Sequence, residues 1–196
     1  MSYRRVLISV ATMLLVCTFA KGQTHVEIGT GISDIRGNYP QTGCHQSAVA
    51  GVGYGVKISE RWMVDPMVQI TLEGKEKHGI GYCKIPVALL YCSGNFKFGA
   101  GPYMSCRVWE ETNEDWSCIY LPTYPEQLDI DAIYDYQEWH YKRFDAGIMG
   151  KVSYMIKKVY LGLEGSYGIR DIGRRYDSYV INGHTLSANF VVGYMF

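Results

Sequence analysis

From Val26 to the final residue, Phe196, apolar and polar side chains alternate in segment after segment. A period of two is the pattern of a strand with one face buried. Eight segments carry it: Val26–Ser33, Ala48–Ser59, Met63–Glu73, Tyr82–Tyr91, Phe96–Arg107, Phe144–Tyr154, Val159–Arg170 and Leu186–Phe196. One parity, which includes Ile28, Val52, Val68, Leu89, Phe98, Ile148, Leu163 and Val192, bears no charge in any segment. The other carries Glu27, Lys57, Asp65, Glu73, Lys84, Lys97, Arg107, Asp145, Lys151, Glu164 and Arg170. Helical periodicity is scarce, so the chain is expected to be all-β.

Alternation alone does not say which face lies inside. A water-soluble barrel puts its apolar face inward, whereas a membrane barrel turns it toward lipid and keeps polar side chains in the lumen. Three features favour the second arrangement. Gly29, Gly31, Gly51, Gly53, Gly55, Gly99, Gly101, Gly147, Gly162, Gly168 and Gly193 share the charged parity, with Gly150 and Gly165 the main exceptions. In a narrow lumen, small residues make room for long charged ones. Short connections ("ERW", "CSGN", "IKK") alternate with long ones (Asp34–Ser47, Gly74–Gly81, Val108–Arg143, Asp171–Thr185), so all long loops fall at one end. Tyr91, Phe96, Tyr154, Tyr194 and Phe196 sit on the apolar parity near the short-turn end, as an interfacial girdle would. The expected fold is an eight-stranded antiparallel up-and-down transmembrane β-barrel. It has short periplasmic turns and long outer loops, and its first and last strands pair because lipid tolerates no open sheet edge.

The N-terminus fits this destination. Arg4 and Arg5 precede the apolar run "VLISVATMLLVCTFA", which is short of the ~20 residues of a spanning helix. Ala20 and Gly22 suit the −3 and −1 positions of a cleavage site. Residues 1–22 are therefore expected to be a cleaved signal peptide and 23–196 the outer-membrane barrel domain. A formal net charge of zero and the absence of a basic run argue against a nucleic-acid partner.

The segments "GYCKIPVALLY", "FKFGAGPY", "FDAGIMGKVSY", "VYLGLEGSYGIRDIG" and "FVVGYMF" together resemble the PorT-like outer-membrane β-barrel family of Bacteroidetes-type bacteria. The resemblance spans roughly Thr24 to Phe196. It implies an eight-stranded barrel in the outer membrane; one group of the family assists secretion, and most members have no assigned activity. The long third outer loop and the cysteines depart from the common pattern.

Candidate sites follow from the topology. The charged parity forms an expected lumen network that fills the barrel and neutralises itself. Phe190, Tyr194 and Phe196, on alternating positions up to the last residue, resemble the terminal signal by which barrel-assembly machinery recognises its clients. The loop "VWEETNEDWSCIYLPTYPEQLDIDAIYDYQEWHYKR" has no Lys or Arg from Val108 to Tyr141 and is rich in acids and aromatics. It would either fold over the mouth against Lys75, Lys77, Arg174 and Arg175, or present a surface for an extracellular protein or glycan.

After cleavage five cysteines remain, an odd number. Cys44 and Cys118, both in outer loops, form the expected disulfide. Placing the fourth hairpin's turn at "SG" puts Cys83 opposite Met104, so that Cys83 and Cys106 lie diagonally and in van der Waals contact only. Cysteine spacing gives no zinc motif, and no cofactor or metal is expected. His140, His184, Ser178 and Ser187 lie near the outer rim, but without a nucleophile-elbow motif no catalytic residue is assigned. The expected partners are outer-membrane lipid, the assembly machinery and a ligand of the 108–141 loop. The expected role is structural or interactive at the cell surface. Alternatives are a secretion accessory, a narrow passage for small hydrophobic molecules, and a lipid-modifying enzyme.

Overall fold

The computed structural model describes residues 22–37, 43–75, 78–112, 142–172, 175–176, 179–180 and 183–196. Eight long strands close a barrel: β1 (Gly22–Gly37), β2 (His45–Lys57), β3 (Trp62–Lys75), β4 (His78–Ser93), β5 (Phe96–Thr112), β6 (Phe144–Ile156), β7 (Val159–Gly168) and β10 (Gly183–Met195). β8 (Arg175–Tyr176) and β9 (Tyr179–Val180) form a separate two-stranded ribbon. Every neighbour in the wall is antiparallel. The eight alternating segments are the eight barrel strands.

Closure is made by β1 and β10, paired from His25↔Met195 to Gly37↔Gly183. The terminal residue takes part, since Phe196 donates its amide to the Thr24 carbonyl (3.0 Å). Chain ends usually fray; this one is fastened by a full-length ladder.

Burial settles which face lies inside. Glu27, Asp65, Glu73, Lys84, Asp145, Lys151 and Glu164 are all under 5% exposed, whereas Ile28 is 68% and Met104 71% exposed. The barrel is thus inverted relative to a water-soluble protein, with its charges packed in the lumen and a continuous apolar belt outside. At the short-turn end Trp62 meets Tyr91, Tyr91 meets Phe98, Phe96 meets Tyr154, and Tyr194 meets Phe196, with ring centroids 4.8–5.4 Å apart. These pairs form a girdle, to which Trp62 and Phe98 are additions not singled out in the sequence.

The short connections fall at the girdle end. The β4–β5 turn comprises Gly94 and Asn95, with Ser93 paired to Phe96 and Gly94 at φ +58°. A glycine at the first central position is what a type II′ hairpin requires. The β6–β7 turn, Lys157–Lys158, has the same shape, but a lysine occupies the left-handed position (φ 58°).

Two connections differ from expectation. Residues 74–81 do not form a long loop, because β3 and β4 stay paired as far as Lys75↔His78. Strand β5 continues beside β4 to Thr112, so 108–112 belong to the wall. Residues 1–21, which hold nearly all of the expected signal segment, lie outside the described residues, as do 113–141 of the long loop.

Pairing lapses on one side of the barrel. Between β2 and β3 it passes from Gly53↔Met67 to Val56↔Val64, and between β3 and β4 from Pro66↔Val87 to Gln69↔Lys84. Between β4 and β5 it passes from Pro86↔Tyr103 to Leu89↔Ala100. Pro66, Pro86 and Pro102 lie in or beside these gaps, and proline brings no amide proton to a ladder. Here β4 and β5 approach so closely that a Cβ on Gly101 would run into the Val87 carbonyl oxygen, and one on Gly99 into that of Leu89.

Candidate functional site: the barrel lumen

The inward parity of each strand delivers one side chain to the lumen every second residue, and the eight strands stack these into tiers. Nearest the short-turn end, His25 on β1 faces Asp65 on β3, Nε2 to Oδ2 3.5 Å, with both side chains 3% exposed. The Tyr160 ring stands edge-on to His25, centroids 5.9 Å apart.

The next tier centres on Glu27. Its carboxylate accepts from Lys151 Nζ on β6, from Tyr160 OH on β7 (2.7 Å) and from Gln69 Nε2 on β3 (2.9 Å). The same Gln69 nitrogen lies 3.1 and 3.2 Å from the two Glu164 oxygens, so one amide joins two acids. Lys151 Nζ is also 3.6 Å from Met67 Sδ and 5.3 Å from the Tyr160 ring centre. This tier alone ties β1, β3, β6 and β7 together across the lumen.

Above it, Lys84 Nζ pairs with Glu73 and donates to Ser166 Oγ (3.0 Å), which shares a 2.7 Å hydrogen bond with Ser187. The ammonium sits 4.5 Å from the centre of the Tyr103 ring. Tyr103 OH (2.9 Å) and Thr185 Oγ1 (2.8 Å) both donate to Asp145 Oδ2. Toward the long-loop end, Ile35, Ile80, Tyr82 and Ile172 form an apolar cluster, each at most 1% exposed. Ile172 comes from the segment after β7 and is held there by its amide to the Gly183 carbonyl and by Lys142 N–H to its own carbonyl, 2.8 Å each. Asp171 adds a 2.8 Å bond to the Gly183 amide.

Of the eleven charged residues assigned to the lumen, Glu27, Asp65, Glu73, Lys84, Arg107, Asp145, Lys151 and Glu164 are buried. Lys97 is half-buried near the short-turn mouth, with Nζ 3.8 Å from Met195 Sδ. Lys57 and Arg170 are exposed and do not join the network. Lys57 is the last residue of β2, where the wall ends. Arg170 lies beyond β7, which stops at Gly168, and its amide turns back to the Ala146 carbonyl (3.1 Å). Parity gives a side chain's direction but not whether a wall still stands beside it.

His25, Gln69, Tyr103 and Tyr160 also join the network, although none carries the fixed formal charge that marks the other members in the sequence. Their inward parity beside Glu27, Asp65, Lys84 and Glu164 was the available signal.

Phe190, Tyr194 and Phe196 all point outward along β10, 40–65% exposed. Cys44 is an exposed free thiol, whereas its expected partner Cys118 lies outside the described residues, so that pairing is not seen here. Cys83 stands directly opposite Cys106, not Met104. The turn residues are Gly94–Asn95 rather than Ser93–Gly94, and moving a turn by one residue slides the pairing by two. Of the rim residues, His140 and Ser178 lie outside the described residues. His184 bonds the Gly168 carbonyl (3.0 Å) and stacks on Tyr167, while Ser187 points into the lumen, so these two do not meet.

The lumen is lined by closely packed side chains. A cavity beside His25, Asp65 and Lys97 measures about 10 Å³, the room needed for roughly one water. A groove of about 690 Å³ lies instead on the outer wall. Its floor is the row Ala100, Gly150, Gly165 and Ala188, paired side by side on four strands, and Phe98 and Phe190 flank it. Gly150 and Gly165, the exceptions to the glycine pattern, are therefore neighbours. Among the described residues no group of three or more His, Cys, Asp or Glu is placed to hold a metal ion.

No family model matches the sequence, and no curated protein does. Solved structures are similar to the chain. Neisserial surface protein A aligns with a TM-score of 0.51 at 13% identity, over 88% of this chain and 97% of that one. Ail of Yersinia pestis, solved with a heparin analogue, aligns at 0.44 and 11% identity over 89% and 99%. The N-terminal barrel domain of Pseudomonas aeruginosa OprF aligns at 0.43 and 12% identity over 90% and 100%. With Neisserial surface protein A the shared feature is the closed eight-stranded barrel of outer-membrane type.

Proposed function

We propose that this chain is a plugged outer-membrane barrel whose role is structural or interactive, exercised at the cell surface through its outer loops. The carrying observation is the lumen. Buried side-chain bonds recur tier after tier from His25–Asp65 to Asp145–Thr185, and the Ile35–Ile80–Tyr82–Ile172 cluster is packed at the long-loop end. A lumen so filled supports a plug, and with it the outer segments as the working surface. The apolar belt and its aromatic girdle support lipid as the surrounding medium, and the pattern ending at Phe196 supports recognition by the assembly machinery. Arg4, Arg5 and the apolar run behind them support export and cleavage before Gln23. The order and spacing of the quoted motifs support kinship with the PorT-like barrels.

Two measurements test this reading. The purified full chain in a planar bilayer is expected to show no steady conductance in potassium chloride; a stable open level would reject the plug. Replacing residues 113–141 by a short Gly-Ser linker is expected to leave the barrel in the outer membrane and to remove binding on arrays of glycans and matrix proteins. An array profile unchanged by the deletion would reject the loop as the interacting surface.

The wall favours a second reading, a passage for small hydrophobic molecules. Its support is the set of lapses around Pro66, Pro86 and Pro102, where the ladder has fewest bonds to break. If this reading holds, Pro66→Val with Pro102→Val lowers uptake of an alkane-like fluorescent probe into proteoliposomes. Equal uptake by the two proteins removes it.

A further inference from the structure

We propose that Cys83 and Cys106 are a disulfide site that staples β4 to β5 on the outer wall of the barrel. The two are direct cross-strand partners, and in the structure both are half-buried free thiols. Opposed residues in an antiparallel pair have Cα atoms about 4.5–5.5 Å apart, inside the range of about 4.4–6.8 Å that disulfides span. Both side chains leave the same face of the sheet. Their other wall neighbours are Ile70 and Phe144, and among the described residues the only bond the Cys106 thiol makes is a long one, 3.6 Å, to the adjacent Arg107 carbonyl.

The position gives the bond a purpose. On one side of the pair, the β4–β5 register shifts at the Gly81/Tyr82 bulge; on the other, the ladder lapses beyond Pro86↔Tyr103. The paired stretch between these faults is short, and a covalent link within it would fix the register of the outer part of the hairpin. β5 then runs on to Thr112, at the root of the long loop.

The cysteine count also resolves. Cys92 faces inward against Met63, Ala88 and Leu90 and is the odd thiol, while Cys44 and Cys118 stay free to pair with each other.

Formation in the cell rests on the proposed export, because thiols are kept reduced in the cytosol and oxidised in the envelope. One cysteine thiolate attacks a sulfur of an oxidised protein dithiol, giving a mixed disulfide. The second thiolate then displaces that protein, which leaves as a dithiol carrying the two electrons. The two thiol protons of Cys83 and Cys106 pass, through solvent, to the sulfurs of the departing dithiol, so that protons and electrons both balance.

The test uses the full chain from two sources: extracted from the outer-membrane fraction, and refolded in detergent with a glutathione redox buffer. Each is blocked with a maleimide under denaturing, non-reducing conditions, digested and analysed by mass spectrometry. The expected result is a Cys83–Cys106-linked peptide in both, two hydrogen masses lighter than the separate peptides. C83S should free Cys106 for labelling. In non-reducing gels the wild type should unfold at a higher temperature than C83S/C106S, and reductant should remove the difference. Both thiols labelled in the refolded protein, or either joined to another cysteine, overturns the site. The link present after refolding but absent from cell-derived protein upholds the site and overturns the export reading instead.

Discussion

Lys151 on β6 and Glu27 on β1 meet across the lumen, and the Glu27 carboxylate also accepts from Tyr160 and Gln69. Removing one member of such a pair strands the other charge in a dry interior, at a cost of about 3–5 kcal/mol. Lys151→Met and Glu27→Gln are each expected to lower stability by that order, measured by urea unfolding of the barrel in lipid. The double variant should lose less than the two single losses added together, because neither charge is then stranded. Single variants within about 1 kcal/mol of wild type would show that the lumen is wet enough to solvate the orphan.

Gly101 is expected to tolerate no side chain. A methyl group there meets the Val87 carbonyl, which is backbone and has nowhere to go. Gly101→Ala should fail to give the compact, heat-modifiable gel band, whereas Gly94→Asn, at a turn with open space, should retain it. Normal migration of Gly101→Ala would mean that β4 and β5 sit farther apart than described.

Lys157 spends backbone energy at φ 58°. A left-handed conformation costs a residue with a Cβ about 1–2 kcal/mol, partly offset in the variant by the entropy glycine loses on folding. Lys157→Gly should therefore stabilise the barrel by roughly 0.5–1 kcal/mol. A lower unfolding midpoint for that variant would contradict the turn geometry.

Phe196 is 65% exposed, packs edge-on against Tyr194, and its amide is bound to Thr24. Deleting it removes one closing hydrogen bond and one girdle ring, a small loss to a barrel already formed. Insertion in cells is nevertheless expected to fall sharply, while refolding in detergent stays near normal. Equal losses in both assays would make Phe196 a stability residue and not part of an assembly signal.

Much of the architecture was legible because a two-residue period survives any small error in segment ends. All eight strands followed from parity, and the direction of their faces from the glycines, connection lengths and aromatics that accompany it. Register did not, because it depends on which two residues turn; the choice between Ser93–Gly94 and Gly94–Asn95 decided whether Cys83 faced Met104 or Cys106. The lumen was only partly legible. Formal charge found Glu27 and Lys151 but passed over Gln69 and Tyr160, whose neutral donors complete the same carboxylate. Lys57 and Arg170 show the opposite error, a correct parity at positions where the wall has ended.

The continuation of β5 to Thr112 has a geometric consequence. β6 begins at Phe144, level with Cys106, yet its neighbour continues for six more residues. At about 3.3 Å per residue, that is up to ~20 Å of strand standing above the rim on this side. The barrel top is therefore cut obliquely, like a quill, and the 113–141 segment departs from its point.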